Sequence, residues 1–282
     1  MAIEVIKLHP LIGAEIRGVD FTKPIDAGTR AQVLQAFADN VVVVFRGLDL
    51  DEDQQIAGAE MFGKVASRDN PYSRPDDGSN KKRPFMMVSN IVKDGKPIGS
   101  FGDGEMWFHH DTSYYPEPHR ATLLYAMTLT STGGETKFSN MYEAYNRIPQ
   151  KLRDRLEGKK VLQVHDYKRR ERLDLDAIDL SKVRHQSQPI FITHPATGKK
   201  ALFISRLMSA RIEGLSHDES EDALNQLFDI SEDPDIIYEH SWQLGDMVCW
   251  DNWCSIHARN DFPREEPRLM RRLTVEGQAM TF

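Results

Sequence analysis

"ATLLYAMTLTSTGGETKFSN", residues 121–140, sets two strand-like runs, 121–129 and 135–140, on either side of a Gly-Gly turn. Both runs are rich in the branched and aromatic residues that suit a pleated, half-buried surface. A turn where a crossover helix would otherwise stand points to antiparallel strands. Outward from this stretch the same pattern recurs. "VVVVFRG" (41–47) reads as a buried strand, "PFMMVSNIV" (84–92) as another, and "QPIFITHPATGKKALFIS" (188–205) as a hairpin turning at "PATG". Three strand-like runs close the chain, "IIYEHSWQL" (236–244), "MVCWDNWCSIHA" (247–258) and "RLMRRLTVEG" (268–277). Helical patterns are fewer: 29–40, 51–63 with Asp51 placed to cap it, 141–158 on both sides of Pro149, and an acidic amphipathic segment at 217–230. A doubly wound α/β fold would need regular strand–helix alternation and a Gly-rich first turn, and neither is present. The chain is predicted to be mainly β with flanking helices, an antiparallel barrel or jelly roll. No repeat or linker divides it, so one domain over 1–282 is expected, with a polar surface loop at 67–82.

Bulk composition excludes several function classes. Thirty-six Lys and Arg stand against 43 Asp and Glu, a net charge of −7 that is a poor match for a nucleic-acid backbone. No apolar run approaches the roughly 18 residues of a membrane span, so no membrane association is expected. The first residues lack the apolar block of a secretory signal, which leaves a cytoplasmic protein as the expectation. Two cysteines, Cys249 and Cys254, exclude a disulfide framework and a C-x-x-C zinc pattern; they read as buried thiols in adjacent strands. The sequence leaves the oligomeric state open, a homo-oligomer included.

Against this bland background "WFHHDTSYY" (107–115) stands out. On a strand, His109 and Asp111 share one face and His110 takes the other. The two make either a hydrogen-bonded pair or two ligands of a metal. His257, near the end of the apolar run that holds Trp250 and Asp251, supplies a second imidazole in a similar setting. Two His and one carboxylate from separate strands form the facial triad of non-haem Fe(II) oxygenases. His110 is assigned a structural role.

In "PRLMRRLTV" (267–275) Arg268, Met270 and Arg272 share a face. Two inward arginines are costly unless each meets an anion, and guanidinium grips carboxylate bidentately. Arg271, on the opposite face, reads as a solvated basic edge.

These blocks carry a resemblance. From "GAEIRGVDF" (13–21) through "FHHDTSYY" (108–115) and "STGGETKF" (131–138) to residues 250–277, nearly the whole chain is similar to the Fe(II)/2-oxoglutarate-dependent taurine and phenoxyacetate dioxygenase family. The resemblance implies a double-stranded β-helix (jelly-roll) core and Fe(II), 2-oxoglutarate and O2 as cofactors. His109, Asp111 and His257 stand where the family's iron ligands stand. Thr136 and Arg268 match the residues that hold the distal carboxylate of 2-oxoglutarate, and Trp242 resembles a tryptophan lining that pocket. Arg272, fifteen residues after His257, matches the arginine that holds the substrate's anionic head.

Two departures bear on substrate. Phe108 stands immediately before the first ligand where the family commonly has Trp. "FGKVASRDNPY" (62–72) offers Arg68, Asp69, Asn70 and Tyr72 where the taurine enzyme has a substrate-binding His and Tyr. The expected activity is therefore hydroxylation of a small organic anion, an aryloxy or alkyl carboxylate or sulfonate, with release of succinate and CO2. Cleavage follows where the hydroxylated carbon bears oxygen or sulfur. Phe108, Tyr114 and Tyr115 are candidates for an apolar substrate wall and equally for core. A zinc hydrolase using the same His/Asp/His set would leave Arg268 and Thr136 without a role. A non-catalytic anion-binding β-barrel would leave the triad without one.

Overall fold

A computed structural model describes residues 2–67, 84–102, 104–165, 175 and 178–282. Except for Ser67, the polar segment 67–82, including Arg68, Asp69, Asn70 and Tyr72, lies outside the described residues. Eleven strands build the two sheets that carry the site: β1 (Glu4–Lys7), β2 (Ala14–Arg17), β3 (Val42–Phe45), β4 (Met86–Ser89), β5 (Met106–His109), β6 (Ala121–Thr128), β7 (Thr136–Asn140), β8 (Ile237–His240), β9 (Met247–Asp251), β10 (Ser255–Arg259) and β11 (Leu269–Val275). The larger sheet runs β1-β2-β3-β9-β6-β11-β4 and the smaller β8-β7-β10-β5. All neighbours are antiparallel except the short β2–β3 pair. This is the jelly roll.

Strand periodicity explains the layering. In β3, β9 and β6 the residues Val42, Val44, Val248, Trp250, Leu124 and Ala126 point into the core between the sheets. Their alternates Val43, Phe45, Met247, Cys249, Leu123 and Tyr125 point outward against α1 (Ala27–Asn40) and α2 (Glu52–Glu60). Each helix has a start signal that the sequence carries. Asp26 accepts from Gly28 and Thr29 ahead of α1, and Asp51 forms a capping box with Gln54 ahead of α2. Across the inner core, Phe138 of the small sheet meets Trp250 of the large one, ring centroids 5.4 Å apart.

Two connections depart from a hairpin reading. The Gly-Gly turn after β6 carries the chain from the large sheet to the small one. Gly133 and Gly134 both have φ of +74°, and a Cβ on Gly133 would meet the Asp261 carbonyl oxygen at 2.4 Å. The run 247–258, expected as one strand, is two: the chain turns at Asn252–Cys254 and changes sheets, so Cys249 sits in β9 and Cys254 on the turn. Asp251 makes this turn, its carboxylate accepting from Trp253 N–H at 3.0 Å while its carbonyl accepts from the Ser255 hydroxyl at 2.7 Å. Among the described residues no helix is long and apolar enough to cross a membrane.

Candidate metal centre

β5 and β10 are neighbours, and their register sets His109 directly opposite His257. The two rings lie 4.1 Å apart between centroids. His109 Nδ1 is 2.8 Å from the Trp107 carbonyl oxygen, which can only accept, so Nδ1 carries the proton and Nε2 the lone pair. Asp111 reaches the same point by a route that strand alternation does not describe. β5 ends at His109, and residues 111–114 form a turn in which Thr112 holds a φ of +58°, a rare conformation for a β-branched residue. Thr112 closes that turn by accepting Tyr115 N–H at its carbonyl (2.9 Å) and His119 N–H at its hydroxyl (2.8 Å).

Asp111 Oδ1 then lies 4.0 Å from His109 Nε2 and 3.9 Å from His257 Nε2. It is buried and, among the described residues, without a hydrogen-bond partner. The other oxygen, Oδ2, accepts from the Thr122 hydroxyl at 2.7 Å and pairs with Arg272 Nη2 at 2.6 Å. An orphaned carboxylate oxygen facing two imidazole nitrogens is the donor set of a divalent metal, with no thiolate to favour a softer ion. Burial lowers the proton affinity of His109 and of His257, keeping both neutral. Burial opposes ionisation of Asp111. Arg272, the two imidazoles and the Thr122 hydroxyl together more than offset it and hold the carboxyl below the usual range. All three groups therefore stand in the protonation state of a ligand at neutral pH.

The second half of the pocket is cationic. Arg268, immediately before β11, is 2% exposed, and its guanidinium lies over the Phe262 ring at 5.3 Å. Among the described residues its only polar side-chain contact is a long one, 3.4 Å from Nη2 to the Gly134 carbonyl oxygen. Burial and the nearby Arg259 pull it down to about 9. Thr136, at the start of β7, is buried and accepts the indole N–H of Trp242 at 3.0 Å, which turns the threonine's own proton elsewhere. Trp242 lies past the end of β8, in the loop to β9. Arg272 faces the same pocket as Arg268, and Val88, Phe101, Met106 and Leu124 supply its apolar wall.

Arg271 is the correction in this region. It is 5% exposed rather than a solvated edge. Pointing outward, it meets α2: its guanidinium donates to Gln55 Oε1 and to the Leu50 and Asp51 carbonyls, between the Phe85 and Tyr125 rings. Tyr114 and Tyr115 pack with Leu207 and Met208 and do not line the pocket. Phe108 is half-buried against the main core. His110 points away from the triad, 2.7 Å from the Asn252 carbonyl oxygen and with its ring 4.2 Å from that of Phe203, tilted by 35°. Sequence reasoning missed Thr122, Asn252, Phe101 and Met106, whose residue types carry no signal of chemistry. A second cluster, His194, Asp251 and Cys254, already holds a cation, because Arg120 Nη1 is 2.6 Å from Asp251 Oδ2. Burial also pushes the Cys254 thiol well up.

Comparison with known proteins meets this geometry. The profile of the family "Taurine catabolism dioxygenase TauD, TfdA family" matches residues 4–274. An alpha-ketoglutarate-dependent 2,4-dichlorophenoxyacetate dioxygenase from Cupriavidus pinatubonensis is 29% identical over 99% of this chain and 100% of its own. A pentalenolactone F synthase from Streptomyces avermitilis is 30% identical over 94% of this chain and 90% of its own. Among solved structures, AAD-2 in complex with Mn(II) and N-oxalylglycine superposes with a TM-score of 0.80 at 27% identity, covering all of both chains.

Proposed function

The chain belongs to the TauD/TfdA family and is an Fe(II)- and 2-oxoglutarate-dependent dioxygenase; on that premise we propose that its substrate is a small organic anion with an apolar body, an aryloxy or alkyl carboxylate or sulfonate. His109, Asp111 and His257 hold the iron. Arg268 and Thr136 hold the distal carboxylate of 2-oxoglutarate, with Trp242 orienting the threonine. Iron, 2-oxoglutarate and O2 together supply the oxidant that hydroxylates the substrate with release of succinate and CO2. The protein's own part is to bind, orient and exclude water. Arg272 seats the substrate's anionic head, and Val88, Phe101, Met106 and Leu124 enclose its apolar body.

The observation that carries this reading is that Arg268 and Arg272 line the pocket that His109 and His257 also line, while the third arginine on it, Arg259, donates to the Phe101 and Gly104 carbonyls. Arg268, which meets no carboxylate among the described residues, favours one anionic ligand, and Arg272, paired with Asp111 at 2.6 Å, can serve a second. A zinc hydrolase and a passive anion binder each leave one half of this arrangement without use. The relatives differ in what their names say they act on or make, so they support the reaction more strongly than the substrate. A panel of aryloxy carboxylates, alkyl sulfonates and neutral analogues of equal size, scored for succinate and for hydroxylated product, is the test. Turnover of the anions over the neutral analogues supports the proposal, and equal turnover contradicts it.

A further inference from the structure

Arg272 has two anions to serve. Its Nη2 lies 2.6 Å from Asp111 Oδ2, while the substrate reading above, on which this inference rests, needs the same guanidinium for the substrate's head group. The carboxylate itself has a second hold, at a threonine whose oxygen also lies 3.5 Å from Arg272 Nη2. The Thr122 hydroxyl donates to Oδ2 at 2.7 Å, and Asn252 Nδ2 donates to the Thr122 oxygen at 2.9 Å, which fixes the direction of the hydroxyl proton. Asp111 therefore keeps its orientation whether or not the arginine stays. Its opposite oxygen, Oδ1, has no hydrogen-bond partner among the described residues and faces the two imidazoles.

We propose that Arg272 is a latch, engaged on Asp111 until a divalent cation binds at Oδ1 and only then available to the substrate anion. The reason is Coulombic. A cation at Oδ1 neutralises much of the carboxylate charge, which weakens its attraction for a guanidinium a few ångströms away, most of all in a buried setting. The Arg272 side chain is only 13% exposed, so water offers it little compensation for the lost pairing, and an incoming carboxylate or sulfonate does. Cation binding thus precedes and strengthens anion binding, and by linkage the anion strengthens the hold on the cation. Thr122 and Asn252 are the positioning residues that keep the ligand carboxylate in place while the arginine changes partners.

The test is a binding cycle on the full chain, stripped of metal, with phenoxyacetate and hexanesulfonate as probes measured by calorimetry. Four proteins are compared with and without Mn(II): the parent, D111N, R272M and D111N/R272M. In the parent, Mn(II) should tighten probe binding by about tenfold or more, the span of coupling between groups in contact. D111N without metal should gain a similar factor, and either gain should shrink to within about twofold wherever Arg272 is absent. That dependence separates the latch from the general effect of removing a nearby negative charge, which R272M leaves in place. Should D111N fail to fold, parent and R272M with and without Mn(II) still decide the matter. Equal binding to metal-free and Mn(II)-loaded parent overturns the latch, as does a gain that survives in R272M. No probe binding to any form overturns the substrate reading and the latch with it.

Discussion

His257 lies directly opposite His109 in the register between β10 and β5, with their rings 4.1 Å apart. Nothing but antiparallel pairing is needed to bring these two nitrogens together, although 148 residues separate them in the chain. The sheet therefore brings two of the three proposed ligands together, and only Asp111 depends on a special turn. A site on paired strands is held more rigidly than one on loops.

Replacing any of His109, Asp111 or His257 by Ala should remove Mn(II) binding and cut 2-oxoglutarate decarboxylation by more than about 100-fold, beyond the loss seen for residues that only support ligands. Circular dichroism should show the parent's secondary structure, because each change leaves the apolar side chains between the sheets in place, His257→Ala removing only a ring 4.7 Å from that of Trp250. CO2 release from labelled 2-oxoglutarate checks this, and parent-like activity in one variant removes that residue from the metal.

Arg268→Ala should weaken 2-oxoglutarate by about 2–5 kcal/mol, the effect of truncating one partner of a buried charged contact. Thr136→Val and Trp242→Phe should each lose about 1 kcal/mol, one hydrogen bond apiece. Titration of the cosubstrate into the Mn(II) form reads these losses directly.

Thr122→Val keeps shape and removes the donor to Asp111 Oδ2. Mn(II) affinity should fall by about 10- to 100-fold, as for other groups that orient a ligand. An unchanged affinity would show that Arg272 alone orients the carboxylate.

His119 gives a pH dependence. Burial first, and then the charge of Arg272, lower its pKa from 6.5 to about 4, and its Nδ1 is sealed from solvent with no partner among the described residues. The unfolded chain therefore binds more protons than the folded one between those values. Stability from this group is whole above 6.5 and is lost as pH falls toward about 4. Melting temperature against pH should drop across that window, and His119→Gln should flatten the drop by up to one proton. A slope identical to the parent's would mean that the imidazole titrates normally in the fold.

The strand runs and the α2 start at Asp51 were legible because each has a periodic or capping signal, whereas α1 begins at Ala27 behind an Asp26 cap rather than at 29. The turn at Asn252–Cys254 was not legible, since "CWDNWC" has neither Gly nor Pro and stays apolar across the bend. Asp111 was expected on the right side for the wrong reason: the strand ends at His109 and Asp111 lies in the turn that follows, so strand alternation is not what places it. Arg271 was placed on the correct face, but that face meets α2 rather than water, and tertiary covering of a strand leaves no trace in its own sequence. Thr122 and Asn252 look like ordinary polar residues until the fold sets them beside Asp111.

The most direct measurement is the visible absorption of the chain mixed anaerobically with Fe(II) and 2-oxoglutarate. The account predicts a weak charge-transfer band that appears only when both are present, is absent in His257→Ala, and needs a higher 2-oxoglutarate concentration in Arg268→Ala. A parent protein that gives no band, or a His257→Ala protein that gives the full one, would contradict the assignment of this pocket.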